Sequence, residues 1–152
     1  MKKKTTIIAL ITLVVIATTA YGLHEFFRVS PDMASLPVDY KINAPGLIKE
    51  FTDNDTSASK KFLGKIVEVN GSVRKIEKDE LNFVTVVIGD AGDLSSIRCI
   101  LDTNHKADAT SLKEGISVTA KGLFIGYNKD ATGLLGSDIQ LTRCIFTSEN
   151  KN

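Results

Sequence analysis

The stretch at residues 64–76, GKIVEVNGSVRKI, constrains the fold more than any other part of the chain. Apolar and polar side chains alternate along it, which predicts a strand with one buried face. Gly71 falls on the apolar face, in line with Val69 and Val73. A glycine inside a strand marks a sharp bend or a close approach of another backbone. We therefore expect a long, bent first strand that belongs to both halves of a small barrel.

Four further strands are predicted downstream, at residues 81–88, 96–101, 116–124 and 138–146. The strand at 116–124 repeats the feature of the first one, because Gly122 lies on its inward face. Five strands with a helix before the first match the OB-fold, a small Greek-key barrel. The predicted fold class is mainly β: a five-stranded OB-fold Greek-key barrel with a leading helix. It covers residues 43–147 and is followed by a disordered tail at 148–152.

The leading helix is predicted from its capping residues. Asn43 suits the N-cap and Pro45 the first turn, where a missing amide hydrogen costs nothing. Polar residues at 52–57 favour a break before a second helical stretch, which Gly64 ends. We expect the apolar face of this helix to cover the barrel as a lid.

The first 28 residues are predicted to be a targeting segment. Three lysines at positions 2–4 precede an apolar run at 7–20. The segment is either a cleaved signal peptide or an uncleaved transmembrane anchor. We favour the anchor, because the run is longer than the about 7–15 apolar residues of a typical signal peptide. The lysines then place the N-terminus in the cytoplasm of a bacterium and the domain outside a membrane crossed once. Residues 29–42, which contain Pro31 and Pro37, are predicted to be a tether.

The charge of the remaining chain does not favour nucleic acid as a partner. The formal net charge of +1 includes four basic residues and one acidic residue of the N-terminal segment, which leaves 15 basic and 17 acidic residues. Nucleic-acid affinity comes largely from clustered Lys and Arg that neutralise phosphates. Trp is missing and aromatic residues make up only 7% of the chain, so stacking platforms for bases or sugars are few.

A set of scaffold positions runs through the domain: Leu47, Phe51, Ala58, Lys61, Phe62, Gly64, Lys65, Glu68, Val69, Gly71, Val73, Cys99, Leu112, Gly115, Val118, Gly122, Gly126, Ile139, Leu141 and Cys144. On these residues the chain resembles the tRNA_anti-like family of bacterial OB-fold proteins over residues 44–147. The family is often exported and is named for its likeness to anticodon-binding domains. One departure is Leu123, where the family pattern would have a cysteine. The resemblance implies the fold and leaves the activity open, since OB barrels bind nucleic acids, sugars and proteins.

Cys99 and Cys144 are the two cysteines of the chain. An oxidising exterior allows a disulfide between them, because the third and fifth strands of a closed OB barrel are neighbours. Strand parity places Cys99 inward and Cys144 outward. A bulge near Arg143 would turn both inward. Two separately buried thiols are the alternative.

Candidate chemistry is sparse. Asp102, His105 and Asp108 match no established ligand spacing and are interpreted as a solvated loop, so no metal or other cofactor is predicted. The chain has no P-loop, paired acids or Ser-His-Asp order in a suitable context, and we predict that it is not an enzyme.

The candidate ligand face consists of Phe83, Arg98, Lys121, Tyr127 and Arg143, with ordinary solvated strand faces as the alternative. The leading hypothesis is a membrane-tethered extracytoplasmic OB-fold module that binds an envelope protein or a glycan. A nucleic-acid-binding OB domain is the second hypothesis, and a periplasmic cofactor carrier the third.

Overall fold

The computed structural model describes residues 2–26, 31–81, 83–132, 134 and 136–148, and the chain divides into two compact units, Met1–Pro31 and Asp32–Asn152. The first unit contains helix α1 (Lys2–Phe26), whose large apolar side chains from Ile11 to Leu23 are exposed. Among the described residues, no helix combines the length and the apolar character that a membrane span requires. Residues 27–30, where the predicted anchor meets the tether, and 149–152 of the predicted tail lie outside the described residues.

The second unit is a closed β barrel. Its strands are β1 (Tyr40–Asn43), β2 (Ile66–Lys78), β3 (Val84–Ile88), β4 (Ser96–Leu101), β5 (Ser117–Asn128) and β6 (Asp138–Ser148). The sheet order is β1-β2-β3-β4-β6-β5, and β2 also pairs with β5, so β2 to β6 form a closed five-stranded barrel. The mainly β, OB-like barrel that the sequence predicted is therefore confirmed.

Strand β2 changes partners next to Gly71. Residues 66–72 pair with β5, whereas residues 73–78 pair with β3, and the register with β3 shifts between Val73 and Lys75. A Cβ atom at Gly71 would lie 2.6 Å from Cγ2 of Ile88 and 2.8 Å from Cβ of Ala44. Both distances are too short for carbon atoms, so only glycine fits where the strand turns beneath the helix.

The predicted leading helix consists of two short helices, α2 (Ala44–Asp53) and α3 (Asp55–Phe62). Asn54 ends the first and caps the second, since its Oδ1 accepts a hydrogen bond from the amide of Ser57 at 2.9 Å. The break thus lies inside the predicted interval. Phe51 and Phe62 are buried from these helices onto the barrel and pack against each other and against Phe124, which gives the expected lid.

The structure differs from the predicted tether over residues 31–42. Met33–Ser35 forms a 3-10 helix with Met33 buried, and β1 runs parallel to β2. The turn into β1 is held by Asp39, whose amide donates to the carbonyl of Ile66 and whose carboxylate accepts from the Ile66 amide. Burial of Met33 and pairing of β1 fix this segment on the barrel, where two prolines in the sequence had suggested a free linker.

A bulge in β6 lies at Arg143, which has a φ of 53°. Ile139 and Leu141 point inward before it, and Cys144 and Phe146 point inward after it. The register with β4 shifts at the same place. The bulge that would reconcile the two cysteines is therefore present, and it turns Cys144 into the core, where Cys99 already points.

Candidate ligand-binding face

The outer surface of β3 and β4 is the barrel face that OB-folds use for ligands. Two rows of side chains cross it. The first row aligns Lys75, Val87 and Arg98, and the second aligns Glu77, Thr85 and Ile100. These six residues are called the β3–β4 face below.

An ion cluster occupies the centre of the β3–β4 face. The carboxylate of Glu77 contacts Nζ of Lys75 at 3.0 Å and the guanidinium of Arg98 at 2.5 Å. Hydrogen bonds from Lys75 and then from Arg98 lower the pKa of Glu77 below its ordinary value. The basic side chains of the face are thus partly neutralised within the face. Val87, between them, is only 3% exposed.

Three loops border the face. The loop at 79–83 leads into β3, and the loops at 89–95 and 129–137 adjoin the other end, because Ser96 is in register with Asp138. The last two loops are joined: the amide of Ser96 donates to the carbonyl of Ser137 at 3.0 Å, and Gly136 packs against the backbone of Leu94. We call these three segments the bordering loops.

The bordering loops expose large apolar side chains. Leu81, Leu94 and Leu134 are 77%, 61% and 77% exposed, and Phe83 is 43% exposed. Asp79 fixes the first loop, because its Oδ1 accepts the amides of Leu81 and Phe83. Exposed apolar groups around a polar centre are typical of protein-binding surfaces.

The five residues predicted to form one ligand face lie in different places. Phe83 and Arg98 belong to the loop and strand just described. Tyr127 of β5 lies beneath the lid, where it packs on Phe51 with ring centroids 4.7 Å apart. Lys121 donates to the carbonyls of Ala34 and Leu36, in the segment that precedes β1. Arg143 lies at the β6 bulge, with its Nε 3.5 Å from Asp102.

Sequence reasoning placed Leu81 in the predicted strand at 81–88, whereas β3 begins at Val84, and it did not single out Leu94 and Leu134. Their signal was present, because each is a leucine within or beside a stretch rich in Gly, Asp, Asn or Glu. Such positions are expected to be polar, and an apolar side chain there has no core to enter.

The polar loop after β4 contacts the segment that precedes β1. Thr103–Thr110 is a 3-10 helical segment kinked at His105, and His105 Nε2 lies 2.8 Å from Oδ1 of Asp32. That contact lowers the pKa of Asp32 first, with a further hydrogen bond from the Ala34 amide. The described residues include no group of three potential metal ligands.

The two thiols meet in the core. Cys99 and Cys144 are both fully buried and are present as free thiols in hydrogen-bond contact with each other. The structure therefore brings the predicted pair together, and the disulfide itself stays a prediction.

Comparison with known proteins assigns the chain to a family. A family model described as tRNA_anti-like matches residues 1–137. The chain belongs to the tRNA_anti-like family. The resemblance drawn from its scaffold positions is confirmed. The chain has no match among curated protein sequences.

Several solved structures are similar. A candidate nucleic acid-binding lipoprotein from Klebsiella pneumoniae subsp. pneumoniae has a TM-score of 0.58 at 21% identity, over 74% of this chain and 100% of that chain. Asparaginyl-tRNA synthetase from Pyrococcus horikoshii has a TM-score of 0.41 at 17% identity, over 58% of this chain and 21% of that chain. A replication factor A related protein from Methanobacterium thermoautotrophicum has a TM-score of 0.39 at 14% identity, over 58% and 84%. The likeness to the Klebsiella protein supports the barrel fold.

Proposed function

We propose that this protein is a non-catalytic, membrane-tethered extracytoplasmic module that binds a protein partner through the β3–β4 face and the bordering loops. The observation that carries the proposal is the combination of an internally paired ion cluster with exposed apolar side chains around it. An interface needs apolar anchors that exclude water and polar groups that are already satisfied. The bordering loops supply the former and the Lys75–Glu77–Arg98 cluster the latter.

A protein suits this face better than a polyanion or a glycan. Glu77 already neutralises one of the two basic side chains, so a phosphate backbone would meet little unpaired positive charge. Sugars are commonly stacked on aromatic rings, and among the residues of the bordering loops that the structure describes, only Phe83 of the four exposed apolar side chains is aromatic. Leucines instead suit the apolar pockets of a polypeptide partner.

The proposed membrane tether rests on the N-terminal sequence, in which three lysines precede an apolar run, and not on a spanning helix, since none is found among the described residues. The apolar side chains of α1 are exposed within its own unit, and such a surface calls for an apolar environment. The test is fractionation of cells that express the full chain, followed by protease treatment of intact spheroplasts. Protection of the barrel from the protease would contradict an extracytoplasmic location.

Binding is tested by photo-crosslinking in cells. A photoreactive amino acid replaces Phe83 or Leu134 in the bordering loops, and the control replaces Leu63, which is 64% exposed but lies between α3 and β2. We expect the same envelope protein to be crosslinked from positions 83 and 134 and not from position 63. Equal crosslinking from all three positions, or none from the first two, would overturn the proposed face.

Nucleic-acid binding is the second candidate, favoured by the names of the family and of the Klebsiella protein. The binding of single-stranded oligonucleotides would then weaken steeply as salt rises, and Arg98→Ala would reduce that salt dependence. Absent or salt-insensitive binding would remove this candidate and leave the protein partner.

A further inference from the structure

Cys99 and Cys144 lie on strands that pair directly within the barrel. In the parallel register of β4 and β6, Cys99 is opposite Leu141 and Cys144 is opposite Leu101. The shift at the Arg143 bulge turns Cys144 into the core beside this seam, and its side chain is in contact with that of Cys99. Both side chains have an exposure of 0%.

Gly122 leaves room for the sulfur of Cys144. Across β5, Gly122 faces Cys144, and a Cβ atom at Gly122 would lie 2.5 Å from Sγ. The missing side chain therefore provides the space in which the Cys144 sulfur lies. The thiols touch each other but have no path to solvent from the folded barrel, because a thiol with 0% exposure meets reagents only after local or global opening.

We propose that Cys99 and Cys144 are a modification site: they are oxidised to a disulfide while the barrel closes, and folding then locks the pair in the redox state that it has at that moment. In its biological setting the proposal rests on the extracytoplasmic location given under the proposed function, because disulfides persist in oxidising compartments.

The oxidation requires a partner disulfide, supplied by a thiol oxidase of the extracytoplasmic space. The thiolate of one cysteine attacks that disulfide and forms a mixed disulfide, and one thiol of the oxidase leaves. The second cysteine, as a thiolate, attacks the sulfur of the first cysteine in the mixed disulfide; the bond to the oxidase sulfur breaks, the Cys99–Cys144 bond forms, and the oxidase leaves as a dithiol. Two protons and two electrons leave the chain, and the oxidase takes up both.

The same step is blocked in the folded protein. The attacking species is the thiolate, and burial, followed by the contact with Cys99 and the charge of Asp102, raises the pKa of Cys144. Burial of the thiols and the raised pKa of Cys144 therefore both slow the reaction in the folded protein, and the reaction is confined to the unfolded or partly folded chain.

The pairing is tested first without any export. Purified full-length chain is unfolded, reduced and refolded in a glutathione redox buffer, then denatured and alkylated, and its mass is measured. We expect a Cys99–Cys144 disulfide in the refolded chain, so that its thiols are alkylated only after treatment with a reductant. No intramolecular disulfide is expected in Cys99→Ala or Cys144→Ala. Two alkylated thiols in the refolded wild-type chain would overturn the pairing. Because this arm needs no membrane, its failure is distinct from failure of the proposed location.

The lock is tested with folded protein kept reduced throughout. Alkylation of its thiols is expected to be at least about 1,000-fold slower than alkylation of the same thiols in denaturant, since core groups react only through rare opening. Oxidised glutathione is likewise expected to leave the folded thiols reduced. Alkylation within about tenfold of the denatured rate would overturn the lock.

Discussion

Gly122 and Cys144 are complementary across the β5–β6 pair: a Cβ atom at position 122 would lie 2.5 Å from Sγ of Cys144. The carbonyl of Thr142 and Cβ of Leu141 are also close, at 3.2 Å and 3.3 Å. The size of a side chain at position 122 is thus limited mainly by the sulfur of Cys144 and secondarily by Thr142 and Leu141 of β6. Glycine and cysteine at these two positions form one packing unit.

Gly122→Ala should therefore destabilise the barrel, by about 1–3 kcal/mol, because overpacking forces side chains and backbone to shift. Urea unfolding under reducing conditions measures the loss. In a Cys144→Ala background the sulfur is gone, and the cost of Gly122→Ala should fall by at least about 0.5 kcal/mol. Additive effects of the two substitutions would show that the sulfur does not restrict position 122.

Gly71→Val should lower the free energy of unfolding by about 1–3 kcal/mol or more. The new Cβ would meet Cγ2 of Ile88 and the methyl group of Ala44, and the latter is fixed to the start of α2 and cannot rotate away. The matched control is Gly126→Ala, where a Cβ atom has no neighbour within 4 Å. A Gly71→Val variant as stable as the wild type would contradict the close approach of helix and strand.

The fold was predictable because alternation along each strand reports burial directly. The conflict in parity between Cys99 and Cys144 indicated that a bulge near Arg143 would be needed for both to face inward, and the structure has that bulge. Strand β1 escaped prediction because its four residues, beside Pro37, are too few for a period to be recognised.

The ligand face was less predictable for a geometric reason. Parity distinguishes the inside of a barrel from the outside, but a closed barrel has an outside all the way around. Arg98 and Lys121 both point outward. Arg98 lies in the ion cluster with Glu77, whereas Lys121 contacts the segment that precedes β1. Which outward residues are neighbours depends on strand order and register, which no single strand encodes.

The ion cluster should make stability depend on pH in the acid range. Its hydrogen bonds lower the pKa of Glu77 below the ordinary value of 4.5, so its contribution is present above that pH and is lost as the pH falls through the lowered value. Glu77→Gln should cost under about 1 kcal/mol at pH 7, because the pair is partly exposed, and this cost should shrink as the pH falls and Glu77 is protonated. Urea unfolding of both proteins across this range measures the difference. Glu80→Gln in the adjoining turn is the control, and a constant gap between Glu77→Gln and wild type at all pH values would contradict the ionic origin.

Lys121 should hold residues 33–36, which precede β1, on the barrel. Its Nζ donates to the carbonyl of Ala34 at 3.1 Å and to that of Leu36 at 2.5 Å, beside the buried Met33. Lys121→Met keeps the apolar stem but removes both charged hydrogen bonds, each of which contributes about 1.5–3 kcal/mol when formed inside a protein. Hydrogen exchange followed by mass spectrometry should therefore reveal at least about tenfold faster exchange at residues 33–36, with β2 to β6 unchanged.

The matched control for Lys121→Met is Lys49→Met, which removes an exposed lysine paired with Asp53 within α2. It should leave exchange at residues 33–36 at the wild-type rate, because its partner lies in the same helix. Lys121→Met with wild-type exchange in that segment would mean that burial of Met33 and the pairing of β1 with β2 are sufficient to hold it. Faster exchange throughout the barrel would instead make Lys121 a determinant of global stability, since loss of a local contact frees only the segment that it holds.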